Sequence, residues 1–466
     1  MFNLKKYFII LAMCMLKSFC WPMFCEGNQV PLNQEELLQK LQTLEEMVKR
    51  QQKEIEELKN RLMEQNVNLK QEVQTAKEEA KKETEKAALE TEKKVRQWIP
   101  KWVNRVQVSG DLRLRYEGIH RWEDAKGYDQ PNRDRLRFRA RLFFDGTITD
   151  ELSAHFMLCS DDDPYRDPTT TNQSFTDDFN NKGIYIHRAY GVYKPKILDG
   201  LELVMGKFKN TFIHTDIMWD PDVNPEGFYE KYSYKGFKNI IPFVHLGQMY
   251  VNEVKNQTDD AWLFIEQVGV EIKTKPIDLT FALSWYDWSN LKNTKYLNSA
   301  QFKSGGGNTF SLANAKPYTV YGYAYDYNLT EAILIATLNI FPYPLKLTFD
   351  YIHNTDDNVP NGQDTAYYLG FDLGKLKAKH DWLLGYKYAK IEKDALLGSM
   401  ADQDFYGANR KGHKIYFYYK PVDRLRIGGA YFITKPVQDW TTEEKNSIYK
   451  DFGRENRIML DTVFEF

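Results

Sequence analysis

The residues best suited to chemistry in this chain are arginines at every second position. Between Arg133 and Arg141 the sequence reads RDRLRFRAR, and a shorter version, Arg113 with Arg115, lies just upstream. A guanidinium stays charged at any accessible pH and offers a fixed fork of donors, so such a ladder cannot shuttle protons but can bind carboxylate or phosphate groups. If the segment is a strand, alternate side chains share one face. Arg113, Arg115, Arg135, Arg137, Arg139 and Arg141 would then form one basic wall, which Lys207, Lys209, Arg424 and Arg426 could extend. Acidic side chains are the counterpart. Asp216, Asp220, Asp222 and Glu226 fall within one polar stretch, Asn210–Gly227. Facing the arginines, they would set a transverse field that orients dipolar solutes. Two plainer readings stand beside this: the arginines brace the wall by pairing with Asp111, Glu117 and Asp145, and Asn210–Gly227 is an ordinary surface loop.

Other chemistry is poorly supported. Asp220, Asp222 and Asn224 imitate the opening of a calcium loop, but Pro225 stands where the turn glycine belongs and Lys231 where the bidentate Glu belongs. His and Cys occur without ligand spacing, so no metal or cofactor is expected. No motif joins a nucleophile to a base, so an enzyme is not expected either. A formal net charge of -2 gives no sign of nucleic-acid binding.

The elements that would position the arginines follow a period of two. Val106, Val108, Leu112, Leu114 and Tyr116 alternate with polar residues, as do Leu136, Phe138, Ala140 and Leu142, then Leu279 to Trp285 and Leu345 to Tyr351. Aromatic residues make up 15% of the chain while mean hydropathy is -0.60. A wall that shows lipid only at alternate residues and collects aromatics at its two interfaces has this composition. Links between candidate strands are also sorted. Short ones fall near Thr147–Glu151, Lys194–Gly200, Gly236–Asn239, Lys275–Asp278, Phe341–Pro344 and Pro421–Asp423. Long ones alternate with them: Ser160–Gly183, Asn210–Gly227, Ser289–Pro317, Asn354–Asp364, Lys393–Arg410 and Lys435–Glu455. Outer-membrane barrels sort their loops this way. The pattern predicts an all-β transmembrane antiparallel β-barrel over residues 104–466, with about 16 strands (range 14 to 18), Tyr318–Ile340 leaving room for an extra pair.

Ahead of the barrel, residues 31–97 predict an α-helical coiled coil in the periplasm. Gly and Pro are missing from Gln34 to Gln97, and Leu37, Leu41, Leu44, Val48, Ile55, Leu58, Leu62 and Leu69 form a seam at alternating steps of three and four. Gln51 and Gln65 interrupt it, and a stutter follows Leu69. The seam suggests a homo-oligomer such as a trimer; a solvated single helix is the alternative. Residues 1–27 read as an export signal, since Lys5 and Lys6 precede a short apolar run from Tyr7 to Leu16. Three of the four cysteines lie there, leaving Cys159 with no internal partner.

The arginine ladder Arg133–Arg141 and the run MGKFKNTFIHTDIMWDPDVNPEGF, Met205 to Phe228, resemble the Putative porin family of Gram-negative bacteria, a relative of the phosphate-selective porins. The resemblance covers roughly Arg105 to Phe466, and Thr211 departs from it where many relatives carry Pro. It implies a passive channel without a cofactor. The barrel would sit in the outer membrane among its lipids and lipopolysaccharide, and the arginine face adds the expectation that it passes small hydrophilic solutes and ions with a mild anion preference. The final strand, ending in Phe464 and Phe466, looks like the signature that the barrel assembly machinery reads. A structural tether acting through the coiled coil is the competing function.

Overall fold

The structure is a computed structural model. It describes residues 34–98, 105–122, 132–161, 167–253, 260–292, 305–312, 320–339, 342–405, 407–438 and 453–466. The expected export signal lies outside the described residues. The chain divides into two compact units, Met1–Ile99 and Pro100–Phe466.

In the first unit one helix, α1 (Gln34–Trp98), runs for 65 residues. At 1.5 Å per residue it is roughly 100 Å long. Its composition sustains this length: no Gly or Pro interrupts it, and Glu and Lys recur along it. Leu44, Val48, Ile55, Leu58, Leu62 and Leu69 are all exposed on the isolated helix.

The second unit is a closed antiparallel barrel. Its wall strands are β1 (Val106–Arg121), β2 (Arg133–Thr147), β3 (Leu152–Ser160), β4 (Ile184–Tyr193), β5 (Leu201–Lys207), β6 (Glu226–Ser233), β7 (Ile240–Asn252) and β8 (Ala261–Lys273). They continue as β9 (Ile277–Ser289), β10 (Tyr327–Leu338), β11 (Leu345–Asn354), β12 (Thr365–Gly374), β13 (Trp382–Ile391), β14 (Arg410–Val422), β15 (Leu425–Pro436) and β16 (Glu455–Glu465). This makes a closed 16-strand wall. A two-residue piece, Gln173–Ser174, pairs with β2 from inside a long loop, and Phe310–Leu312 with Val320–Tyr323 makes a separate ribbon. Only one of its strands, Val320–Tyr323, falls within Tyr318–Ile340; its partner lies in the expected loop Ser289–Pro317.

Each strand pairs with its chain neighbour, and β1 also pairs with β16, Leu112 opposite Phe464. Two 3.0 Å backbone hydrogen bonds between Gly110 and Phe466 finish the seam. A Cβ at position 110 would lie 2.5 Å from the Phe466 ring, so the terminal aromatic needs glycine beneath it. Closure removes the free edges an open sheet would have.

The alternation is inverted relative to a water-soluble core. On β1, Leu112, Leu114 and Tyr116 are exposed outward, whereas Asp111, Arg115 and Glu117 are buried inward. β9 does the same, with Phe281 and Trp285 outside and Ser284 inside. Only lipid makes such an exterior favourable. Long and short links alternate around the barrel, including a short link at 375–381 and longer ones at 122–132 and 253–260 that the turn residues alone do not mark.

Candidate functional site: the charged barrel interior

On β1 and β2 the register sets Arg113 opposite Arg139, Arg115 opposite Arg137 and Asp111 opposite Arg141. All point inward. Like charges directly opposite one another destabilise a sheet, so this wall needs acids. Asp111 accepts from Arg139 and Arg141 at 2.8 and 2.6 Å. Glu117, fully buried, meets Arg135 at 2.5 Å, Arg137 at 3.4 Å and Arg457 of β16 at 3.3 Å. Arg115 is bidentate to Asp461, its Nε at 2.7 Å and Nη2 at 2.8 Å. Arg113 is different: its Nη2 donates to the amide oxygen of Asn172 at 2.5 Å, and its Nε has no hydrogen-bond partner among the described residues. Arg188 of β4 likewise donates to an amide, that of Asn224, at 2.6 Å.

The loop 208–225 turns into the barrel. Gly206 and Gly227 face each other at its two roots with φ of 125° and 146°, and a Cβ at either would strike the neighbouring strand's backbone. Phe208, Phe212, Ile217, Met218, Trp219 and Val223 are buried inside. Across β8 the amide of Gln267 clamps Ile213, accepting from its N at 2.9 Å and donating to its O at 2.8 Å. Thr215 donates to Asp350 of β11. On the far wall Asp216 accepts from Lys387 of β13 at 2.6 Å, with Lys414 of β14 at 3.9 Å.

A second loop, 392–409, completes the insert. Asp220 N donates to Met400 O at 2.7 Å and Asp402 N to Asp216 O at 2.9 Å. The segment 305–310 is stitched to the same loop through Asn308, which donates to Lys393 O and Leu396 O, both at 2.7 Å. Asp404 reaches the arginine wall, 2.8 Å from Arg457 and 3.6 Å from Arg115. Asp402 lies 3.6 Å from Lys414. The loop acids thus sit between two basic walls: arginines of β1, β2 and β16 on one side, Lys387 and Lys414 on the other. Asp216, Lys387, Asp402 and Lys414 share a cavity of about 20 Å³, room for about one water.

Crowding separates the acids' titration. Burial works to raise Asp216, but Lys387 and Lys414 hold it well below the usual carboxylate range. Asp404 is half-buried and held low by Arg457 and Arg115. Burial lifts Asp402 to about 6, Lys414 pulling it down while Asp404 and Asp216 push it up. Asp220 is raised well above the normal range by burial and then by Asp402 and Asp222.

Several expected site residues fall elsewhere. Lys207 and Lys209 alternate with the buried Phe208 and Asn210 and therefore leave the arginine face; Lys207 bonds Glu226 at 2.6 Å. Glu226 is accordingly a rim residue on β6, not an acid facing arginines. Of the loop acids, Asp222 approaches the ladder, 3.8 Å from Arg141, whereas Asp216 and Asp220 meet lysines and other acids. Asp145 pairs with His155 at 2.6 Å rather than with an arginine. Arg426 stacks on Tyr418, 5.4 Å from its centroid, and Arg424 occupies a turn at φ 64°. Sequence reasoning misses Lys387, Lys414, Asp404, Arg457 and Asp461. For the strand residues the available signal is the polar phase of β13, β14 and β16, opposite Leu384, Ile415 and Ile458; Asp404 lies in a loop and has none.

A lipid-facing closed wall around a charged interior entered by loops defines the class: an outer-membrane β-barrel of porin type, a porin-like channel. The sequence matches the family described as Putative porin over residues 123–439, more than half of its length, and the chain belongs to that family. Among solved structures it is similar to OmpT of Vibrio cholerae, an outer membrane protein in trimer form, at 13% identity and a TM-score of 0.44, covering 78% of this chain and 99% of that one. It is also similar to a double mutant of the Rhodopseudomonas blastica porin, at 9% identity and a TM-score of 0.40, covering 78% of this chain and 100% of that one. No curated protein matches the sequence.

Proposed function

We propose that this protein is a water-filled diffusion channel for small hydrophilic solutes and ions with a mild anion preference, narrowed by loops 208–225 and 392–409. The observation that carries the selectivity is that, among the described residues, Arg113 and Arg188 are hydrogen-bonded by amides and not by carboxylates. Most of the ladder is neutralised in place by Asp111, Glu117 and Asp461, which supports a bracing role for Arg135, Arg137, Arg139 and Arg141. These two guanidinium groups, without a directly bonded carboxylate among the described residues, bias the path towards anions and acidic solutes.

The test is the zero-current potential of the purified protein in a planar bilayer under a salt gradient. Replacing Arg113 and Arg188 with Gln is expected to move it towards cation preference without leaving a buried carboxylate unpaired. An unchanged potential would sink the basic-lumen reading.

A second reading concerns α1, favoured by its exposed seam. In it the helix lies in the periplasm and assembles copies into a homo-oligomer, and tethering is an added role. Phe464 and Phe466, at the closing strand, are the residues we assign to recognition by the barrel assembly machinery.

A further inference from the structure

The outside of the wall carries a feature that diffusion does not use. Lys390 of β13 lies directly opposite Lys411 of β14, and Lys411 directly opposite Lys435 of β15. All three are in the outward phase, shared with Leu384, Ile415 and Tyr431, which are exposed. Arg454, exposed, sits beside Lys435 where the chain enters β16. Adjacent ammonium groups in one lateral row repel one another. Lys390 is compensated by Glu392 at 2.6 Å. Lys411 and Lys435 make no ion pair among the described residues.

The row's height is informative. These strand ends lead into the long loops 392–409 and 437–454, the side that faces outward from the cell in such barrels. One step towards the membrane lie Tyr388 and His413, 5.1 Å apart, and Tyr386, whose hydroxyl bonds His413 Nδ1 at 2.8 Å. Below them Ile415, Phe417 and Tyr431 face lipid. An aromatic level above an apolar band marks the membrane interface, so the lysines stand at the headgroup level. Lys411, His413, Ile433, Lys435 and Arg454 line a groove of about 510 Å³.

We propose that this groove binds the phosphorylated headgroup of an outer-leaflet glycolipid, with phosphate between Lys411, Lys435 and Arg454 and acyl chains along Ile415, Phe417 and Tyr431. Lysines at a lipid surface attract anionic headgroups, and here phosphate removes the repulsion that the register imposes. The test uses the full-length protein in detergent with three probes: purified lipopolysaccharide, its dephosphorylated form and inorganic phosphate. The expected result is saturable lipopolysaccharide binding that K411Q/K435Q weakens about tenfold or more, with K411R/K435R retaining it. The dephosphorylated form should bind as poorly as the Gln variant does, and inorganic phosphate should fail to displace the lipid. Equal binding by K411Q/K435Q, or by the dephosphorylated lipid, would overturn the proposal. Displacement by inorganic phosphate alone would overturn the lipid source, and binding only between copies of the chain would overturn both. Native-like electrophoretic mobility of the unboiled variant controls for folding, with K435Q alone as the milder substitution.

Discussion

Glu117 shows how this interior is held. One fully buried carboxylate meets Arg135, Arg137 and Arg457, drawn from β2 and β16. Replacing it with Gln removes the carboxylate these guanidinium groups share, and breaking a buried ion pair typically costs about 3–5 kcal/mol. Glu117→Gln is therefore expected to lower the urea midpoint of the detergent-folded barrel markedly, while Arg113→Gln, which strands no acid, should change it little. Acids in the loops give a pH dependence of definite sign. Asp402 titrates near 6 in the folded protein against about 4 when unfolded. It binds its proton more tightly in the folded state, so its contribution makes the insert more stable as pH falls from about 6 towards 4. Asp220, also raised, acts in the same direction. Protease cleavage within 392–409 should be slower at pH 5 than at pH 7.5, and a D220N/D402N variant should lose that difference. A retained difference would show that other groups govern the loop. Asp216 and Asp404, held low by their cations, keep their stabilising pairs throughout this range and lose them only in stronger acid.

At the scale of elements, strands are easier to read from sequence than loops. Alternation at Val106–Tyr116 or Leu279–Trp285 follows from a two-residue period and one lipid-facing side. The inward turn of 208–225 is set by contacts with strands far along the chain, at Gln267, Asp350 and Lys387, which no local pattern encodes. For the same reason sequence misplaces Lys207 and Lys209: their charge suits the wall, but their phase alternates with Phe208 and Asn210. The fate of Asp216 depends on Lys387 and Lys414, 171 positions away in the first case. Helix α1 is legible from its missing Gly and Pro and its seam. Self-association is testable there: Ile55→Asp with Leu62→Asp should reduce the oligomer mass measured by light scattering without abolishing channel activity. An unchanged mass would assign oligomerisation to the barrel.

For the whole molecule, closure and chemistry depend on each other. The barrel can bury charge because its interior is shielded from lipid, and it can expose Phe281, Trp285 and Ile415 because lipid lies outside. Strand number and topology are accessible from sorted links. Which inward charges cancel and which do not requires the register. If these parts make a conducting pore with a basic bias, single-channel recording of the full-length protein across a salt gradient should reveal it. Discrete conductance steps and a zero-current potential on the anion side are expected, both surviving deletion of Leu37–Val95. A protein that inserts yet never conducts would contradict a channel function.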